Sequence, residues 1–374
     1  MSLPLAGIRI VTMAEQYPGP YATLVLADLG ADVVIVERPR GGDPARQLAD
    51  FHAALNRGKR SVALDLKLDA DRADLRKLIE SADVFMEGFR PGTMARLGFG
   101  YEDVSRINPR AVYVSITGFG QTGPYRDRPA HDLSYQAIAG LLHRQAHTGQ
   151  PELPPELAIG DLSSAMFAVT GCLAALLERV RTGRGKYVDV SMTDGLVSWM
   201  SVFLGPLMNG GELGMTQING QPAYGVFPCA DGRLLTLSVT HEDWFWAPLC
   251  EVLGLPALAA IGSMERTVRE PELRPLIAAA LLKRGRDEWG PLLDRAGVAW
   301  GPVNSLEEVT KDPHFHARGM FQRVAECDGN ESWYVAQPLV FDDGEHPGPT
   351  AGVPAIGQHN ETILKSDGKV KALG

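Results

Sequence analysis

Ala31-Asp32-Val33-Val34-Ile35-Val36-Glu37 is the stretch that decides the fold. A nearly unbroken apolar run of this length, rich in β-branched residues, reads as a strand covered on both faces. Working outward, Gly7 to Thr12 reads as a second such strand, and Pro20 to Leu29 as the helix between the two. Strand, helix, strand is the unit of a parallel sheet. The alternation continues with strands over Ser61 to Leu66, Asp83 to Glu87, Ala111 to Thr117 and Tyr187 to Val190, and with helices over Ala70 to Ser81, Leu133 to Leu142, Leu162 to Leu177 and Met192 to Met208. The prediction is α/β: a large domain with a doubly wound parallel sheet.

The texture changes after Asn209. Asn209-Gly210-Gly211-Glu212-Leu213-Gly214 and Asn219-Gly220-Gln221-Pro222 are turn-rich and read as a linker. Beyond it, Val226-Phe227-Pro228 and Leu234 to Val239 flank Asp231-Gly232, a hairpin signal, and helices follow through Arg295, so a smaller α+β domain is expected. The expected bounds are 1–208 for the large domain, 209–223 for the linker, 224–300 for the small domain, 301–321 for a return linker and 322–374 for a tail rich in Gly and Pro.

The chain has 374 residues and a net charge of −9, which argues against nucleic acid as a general partner. Charge is uneven. Between Glu37 and Arg60, six basic residues (Arg38, Arg40, Arg46, Arg57, Lys59, Arg60) face three acidic ones, a pattern suited to a small polyphosphate ligand. No stretch offers eighteen or so uninterrupted apolar residues, and Met1-Ser2-Leu3-Pro4 lacks the parts of a signal peptide, so a cytoplasmic address is expected, with no membrane contact. Cys172, Cys229, Cys250 and Cys327 are far apart and read as buried thiols rather than disulfides or metal ligands.

Chemistry is concentrated in two words, Ala130-His131-Asp132-Leu133-Ser134 and Ile159-Gly160-Asp161-Leu162-Ser163-Ser164-Ala165. Each precedes a long apolar helix, which places His131 and Asp161 at helix starts, where unpaired N–H groups favour negative charge. Gly118-Phe119-Gly120-Gln121-Thr122-Gly123 matches a dinucleotide fingerprint, but the segment Pro124 to Pro129 that follows it reads as a loop rather than a helix, which excludes a redox nucleotide. His314-Phe315-His316 has no nearby carboxylate or cysteine set and reads as a solvated or capping pair, so no metal is expected. In the small domain Thr240-His241-Glu242-Asp243 follows a strand and opens a helix, with Glu242 at its start.

Several words in order resemble the family III CoA-transferases, also called the CaiB/BaiF family: Pro4 to Val11, Ala82 to Gly92, Thr117 to Pro124, and Arg181 to Lys186 leading into Asp189 to Met192. Transferases of the family usually carry Tyr-Asp where this chain has His131-Asp132, whereas its α-methylacyl-CoA racemases carry His-Asp; the racemase branch is the closer match. The resemblance therefore implies an acyl-CoA racemase that moves a proton at the α-carbon of a 2-methyl-branched thioester through an enolate. His131 and Asp161 would serve opposite faces of that carbon, and N–H groups at the start of the Asp161 helix would hold the enolate oxygen. Glu242 would orient His131, as the glutamate of the racemase word Glu-Pro-x-Phe does, although Asp243 stands here in place of the proline. Asp132 would cap its own helix or brace His131. The alternative is a CoA-transferase in which Asp161 is a nucleophile that forms an anhydride and then an aspartyl-CoA thioester. Under either reading CoA enters as part of the substrate and no separate cofactor is implied. The basic run assigns Arg38 with Arg57, Lys59 and Arg60 to the CoA phosphates, with Arg90 as a further contact, and the resemblance supports Arg38 and Arg90 best. It also implies an interlocked homodimer whose tail returns to the large domain.

Overall fold

The computed structural model describes residues 3–145, 156–211, 220–326, 329–341 and 346–365. The first elements are β1 (Arg9–Thr12), α1 (Pro18–Asp28), β2 (Asp32–Glu37), α2 (Ala49–Asn56), β3 (Arg60–Ala63), α3 (Asp69–Glu80) and β4 (Val84–Glu87). Then come α4 (Thr93–Arg96), α5 (Tyr101–Ile107), β5 (Val112–Thr117), α6 (Asp132–Ile138), α7 (Leu141–Gln145), α8 (Ile159–Thr182), β6 (Tyr187–Ser191), α9 (Met192–Trp199) and α10 (Ser201–Met208). Two expected helices are shorter than the periodicity implied. Gly140, at φ +83°, separates α6 from α7, and Met200 separates α9 from α10.

All six strands pair in parallel, in the order β3-β2-β1-β4-β5-β6. Successive residues of a strand point to opposite faces, and each face has its own core. Ile10, Val33, Val84, Met86, Val114 and Ile116 pack on one side with α1 and α8, whereas Val11, Val34, Val36, Phe85 and Tyr113 pack on the other with α3 and α5. The apolar runs are unbroken because both faces are covered. Helix α8 is long and apolar enough by length and composition to cross a membrane. Its Ala165, Ala168, Val169 and Cys172 instead line the core against the sheet.

By its internal contacts the chain divides into two units, Met1–Val202 with Pro313–Gly374, and Phe203–Asp312. In the first unit the returning segment adds the antiparallel pair β10 (Phe321–Ala325) and β11 (Glu331–Val335). It also covers the free edge of β3: Ser61 donates its N–H to His359 Nδ1 (3.1 Å) and Ala63 donates to Asn360 Oδ1 (2.8 Å). Covering an edge strand in this way removes its unpaired donors. In the second unit the hairpin of β7 (Tyr224–Pro228) and β8 (Leu234–Ser238) turns at Asp231-Gly232, with Gly232 at φ +76°, and β9 (Trp300–Pro302) pairs with β8. Helix α11 (Asp243–Val252) contributes Trp246 and Leu249 to that unit's core. Cys172, Cys229 and Cys250 are buried free thiols; Cys327 and linker residues 212–219 lie outside the described residues.

Candidate active site

The strand order reverses direction between β1 and β4, and in open α/β sheets ligands bind outside the carboxyl ends of the strands at that point. A cleft of about 610 Å³ lies there. Its walls are the turn after β1 (Glu15, Gln16, Pro18), the turn after β4 (Gly88 to Pro91), the end of β5 with its loop (Ile116 to Phe119), the segment Arg126 to His131, and Asp161 of α8. Gln16 is the one non-glycine residue with positive φ (+68°) among the described residues, and Asp43 pins it by accepting its N–H at 3.1 Å. The Gly118–Gly123 segment is a loop with no helix behind it, and Gly118 and Phe119 line the cleft rather than a pyrophosphate site. Gly118 is needed because a Cβ there would lie 2.5 Å from the Tyr135 hydroxyl.

Helix starts place the two central side chains. His131 is the N-cap of α6, exposed, and Asp161 stands in the first turn of α8. Between them sits Asp132. Its Oδ1 accepts the N–H groups of Gly160 (2.7 Å) and Asp161 (3.1 Å), so its carboxylate caps α8 rather than its own helix. Gly160 permits this contact, since a Cβ there would lie 2.7 Å from the same oxygen. The N–H groups expected to hold an enolate are thus already occupied, which corrects that expectation. Burial, with the Asp132 charge adding to it, pushes Asp161 up to about 7. Among the described residues no donor hydrogen-bonds to the Asp161 carboxyl and no cation offsets its charge. Below it Tyr135 is buried and donates its hydroxyl to Ala130 O (2.9 Å), and burial raises this phenol to about 12.

The expected phosphate ligands separate into two groups. Arg57 is buried and forms a two-pronged pair with Asp28 (2.5 and 2.8 Å), with a further bond to Val335 O (2.8 Å). Lys59 is also buried and donates to Pro20 O, Thr23 Oγ1 and Asn56 Oδ1, and burial pushes its ammonium well down. Arg60 pairs with Asp32. The assignment of Arg57 and Lys59 to a phosphate clamp is therefore corrected, since their donors are used inside the fold, whereas half-buried Arg60 commits one nitrogen to Asp32. Arg38 is different. Its side chain is 60% exposed and touches only Gly42 O (3.1 Å) and Glu15 (3.3 Å) among the described residues. Arg90 is exposed on the cleft wall without a carboxylate partner among those residues.

Glu242 belongs to the second unit, where it is the N-cap of α11. Its Oε2 accepts the Thr240 N–H and hydroxyl, both at 2.8 Å, and bonds of this kind hold its carboxyl below the usual range although burial opposes them. Asp243, which stands where the resemblance calls for proline, pairs with buried Arg266 at 2.5 Å. Sequence reasoning missed the roles of Asp132, Gln16 and Tyr135. Gly160 beside Asp161 was the available signal for the first, because a glycine in a helix start marks a close approach. Among the described residues no group of three or more His, Cys, Asp or Glu side chains gathers as a metal site.

Comparison with known proteins places the chain. Residues 5–360 match the CoA-transferase family III, and the chain belongs to that family. It is 33% identical over 390 aligned residues to a succinate–glutarate CoA-transferase of Agrobacterium fabrum, covering 96% of this chain and 95% of that one. An acetyl-CoA:oxalate CoA-transferase of Acetobacter aceti is 34% identical, covering 97% and 95% of the two chains. Among solved structures, a CaiB/BaiF family protein from Brucella suis superposes with a TM-score of 0.84 at 29% identity, over 99% of this chain and all of the other. The family expectation and the α/β fold thus hold. These relatives carry transferase names, which favours the alternative over the racemase reading.

Proposed function

We propose that the protein is a CoA-transferase that moves CoA between carboxylic acids, with Asp161 as the nucleophile. The observation that carries this reading is the Asp161 carboxyl itself, unpaired among the described residues, in the first turn of a core helix, at the cleft that the strand order creates. Its carboxylate attacks the thioester carbonyl of the donor, forming a mixed anhydride and releasing CoA thiolate. The thiolate then attacks the aspartyl carbonyl, which frees the first acid and leaves an aspartyl-CoA thioester. The acceptor acid repeats both steps in reverse, so every bond broken is formed again and no cofactor is consumed. The relatives' names each include an acid that carries two carboxyl groups, succinate with glutarate in one and oxalate beside acetyl-CoA in the other, and the reading takes in acids of that class.

Racemisation would need a second proton-transfer group held in place and a donor for the enolate oxygen. The first-turn N–H groups of α8 serve Asp132, and Glu242 spends its carboxylate on Thr240. Arg38 and Arg90 are the residues proposed to meet the CoA moiety. The interlocked homodimer is part of the same proposal, supported by apolar side chains of α8, Leu177 and Val180, that stand exposed.

The test is to incubate the protein with succinyl-CoA and a carboxylic acid, trap with hydroxylamine, and map the product by mass spectrometry. A hydroxamate on Asp161, and a fall in transfer of at least about a thousandfold in Asp161→Asn, support the reading. Exchange of the α-hydrogen of a 2-methylacyl-CoA in deuterium oxide, with no transfer to any acid, would overturn it in favour of the racemase.

A further inference from the structure

The transferase reading leaves one well-positioned cation in the cleft without a task. Tyr135 of α6 lies edge-on to Phe119 (centroids 5.4 Å apart), Phe119 lies edge-on to Tyr125 (5.6 Å), and the Arg128 guanidinium stands over the Tyr125 ring at 5.3 Å. The Arg128 N–H also closes a turn on Tyr125 O (2.9 Å), and Pro129 follows it. A ladder of rings thus references the guanidinium to the helix whose N-cap is His131. Stacking on an aromatic face fixes an arginine while leaving its donors free.

No carboxylate pairs with Arg128 among the described residues. The adjacent Asp127 turns to Arg126 (3.1 and 3.2 Å). Nor does Arg128 stabilise Asp161, whose surroundings contribute burial and the Asp132 charge but no cation. The cleft therefore presents a reacting carboxyl at one place and an unpaired cation at another. A ligand that satisfies both has a thioester or acid group at one end and a free carboxylate some bonds away. Of the two arginines proposed for CoA, Arg90 also lines this cleft and Arg38 does not; Arg128 is the cleft cation that the CoA moiety leaves over.

We propose that Arg128 receives the second carboxylate of a dicarboxylic acid substrate and sets the preference for that class over monocarboxylic acids. This rests on the transferase reading and names the residue behind its substrate class. The fork of the guanidinium matches a carboxylate with two parallel N–H bonds, which a monocarboxylic acid of equal length cannot use.

The experiment compares glutarate with valerate, chains of equal length that differ in the second carboxylate. Each serves as acceptor from one fixed donor, succinyl-CoA, and kcat/KM is measured for the native protein, Arg128→Gln and Arg128→Lys. The binding of each acid to the CoA-loaded protein is measured in parallel by calorimetry. Native protein should favour glutarate, and Arg128→Gln should lose about 10- to 100-fold on glutarate while changing little on valerate, with Arg128→Lys between. An equal loss on both acids would assign Arg128 to the CoA moiety and overturn the proposal, as would an unchanged glutarate value or a native protein that does not discriminate. Should neither acid accept CoA from the native protein, the transferase reading fails, and the binding arm still decides Arg128 by the same contrast. Thermal unfolding of Arg128→Lys separates a folding defect from lost recognition.

Discussion

Arg57-Gly58-Lys59-Arg60, between α2 and β3, and Arg126-Asp127-Arg128, in the loop before α6, look alike in sequence as short basic clusters, yet they end in different environments. In the first, Arg57 and Lys59 are interior and Arg60 is half-buried against Asp32. Asp28, Asp32 and the carbonyls of Pro20 and Val335 accept from them, joining α1, α2, β3 and the returning β11. The second faces the cleft, and Arg128 has an aromatic ring for a partner. Charge density along the chain thus says how many cations a segment holds, not where their donors point. A cation surrounded by acceptors in its own fold stabilises that fold; one with free donors in the cleft of a reactive carboxyl is available to a ligand.

The sharpest way to break this comparison is at Arg57. Arg57→Ala leaves Asp28 buried without its cation and should cost about 3–5 kcal/mol of stability, read by urea unfolding. The double variant Asp28→Ala, Arg57→Ala should recover a good part of that loss. A loss below about 1 kcal/mol would return Arg57 to the list of ligand contacts.

The cleft has its own signature in pH. With Asp161 raised to about 7, transfer that depends on the ionised carboxylate should rise as pH passes through 7 and level off above it. Asp132→Asn removes the neighbouring charge and should move that midpoint down. Stability has the opposite sign. A carboxyl whose folded pKa is raised contributes stability fully present below the unfolded value, about 4, and lost as pH climbs to 7. Asp161→Asn should therefore gain on the native protein between about pH 4 and 7, by on the order of 1–2 kcal/mol after solvent screening, and hold a constant advantage above. Thermal unfolding of both proteins across this range checks it; a constant difference throughout would mean that Asp161 is not perturbed.

The smallest effect on stability is expected at Arg38. Its side chain is largely exposed and its contact with Glu15 is 3.3 Å, so Arg38→Ala should change stability by less than about 0.5 kcal/mol. Acyl-CoA affinity should instead fall about tenfold, and by less against 3′-dephospho-CoA. Large destabilisation without a change in affinity would place Arg38 with the interior group.

Much of the site was legible from the chain, and its gaps have a common cause. His131 and Asp161 were recognisable because helix starts have local signals: each word precedes an apolar helical period. The cap on α8 was not, since Asp132 and Gly160 are 28 residues apart and the segment between them carries no spacing rule. Gln16 gave no sign of its positive φ, because the Asp43 that holds it comes from the loop after β2.

By itself the sequence determined the strand and helix pattern of the large domain, the hairpin at Asp231-Gly232, and the two helix starts that carry His131 and Asp161. These depend on apolar period and turn chemistry, which act between residues near one another in the chain. Only the tertiary structure decided which cations are interior. Arg57 meets Asp28 at a separation of 29 residues and Val335 at 278, and such partners exist only once the returning segment has closed on α1. It also decided that Asp132 serves the neighbouring helix and that the Asp161 carboxyl is pushed up to about 7, because burial and like-charge proximity are properties of the packed molecule, not of any stretch of its sequence.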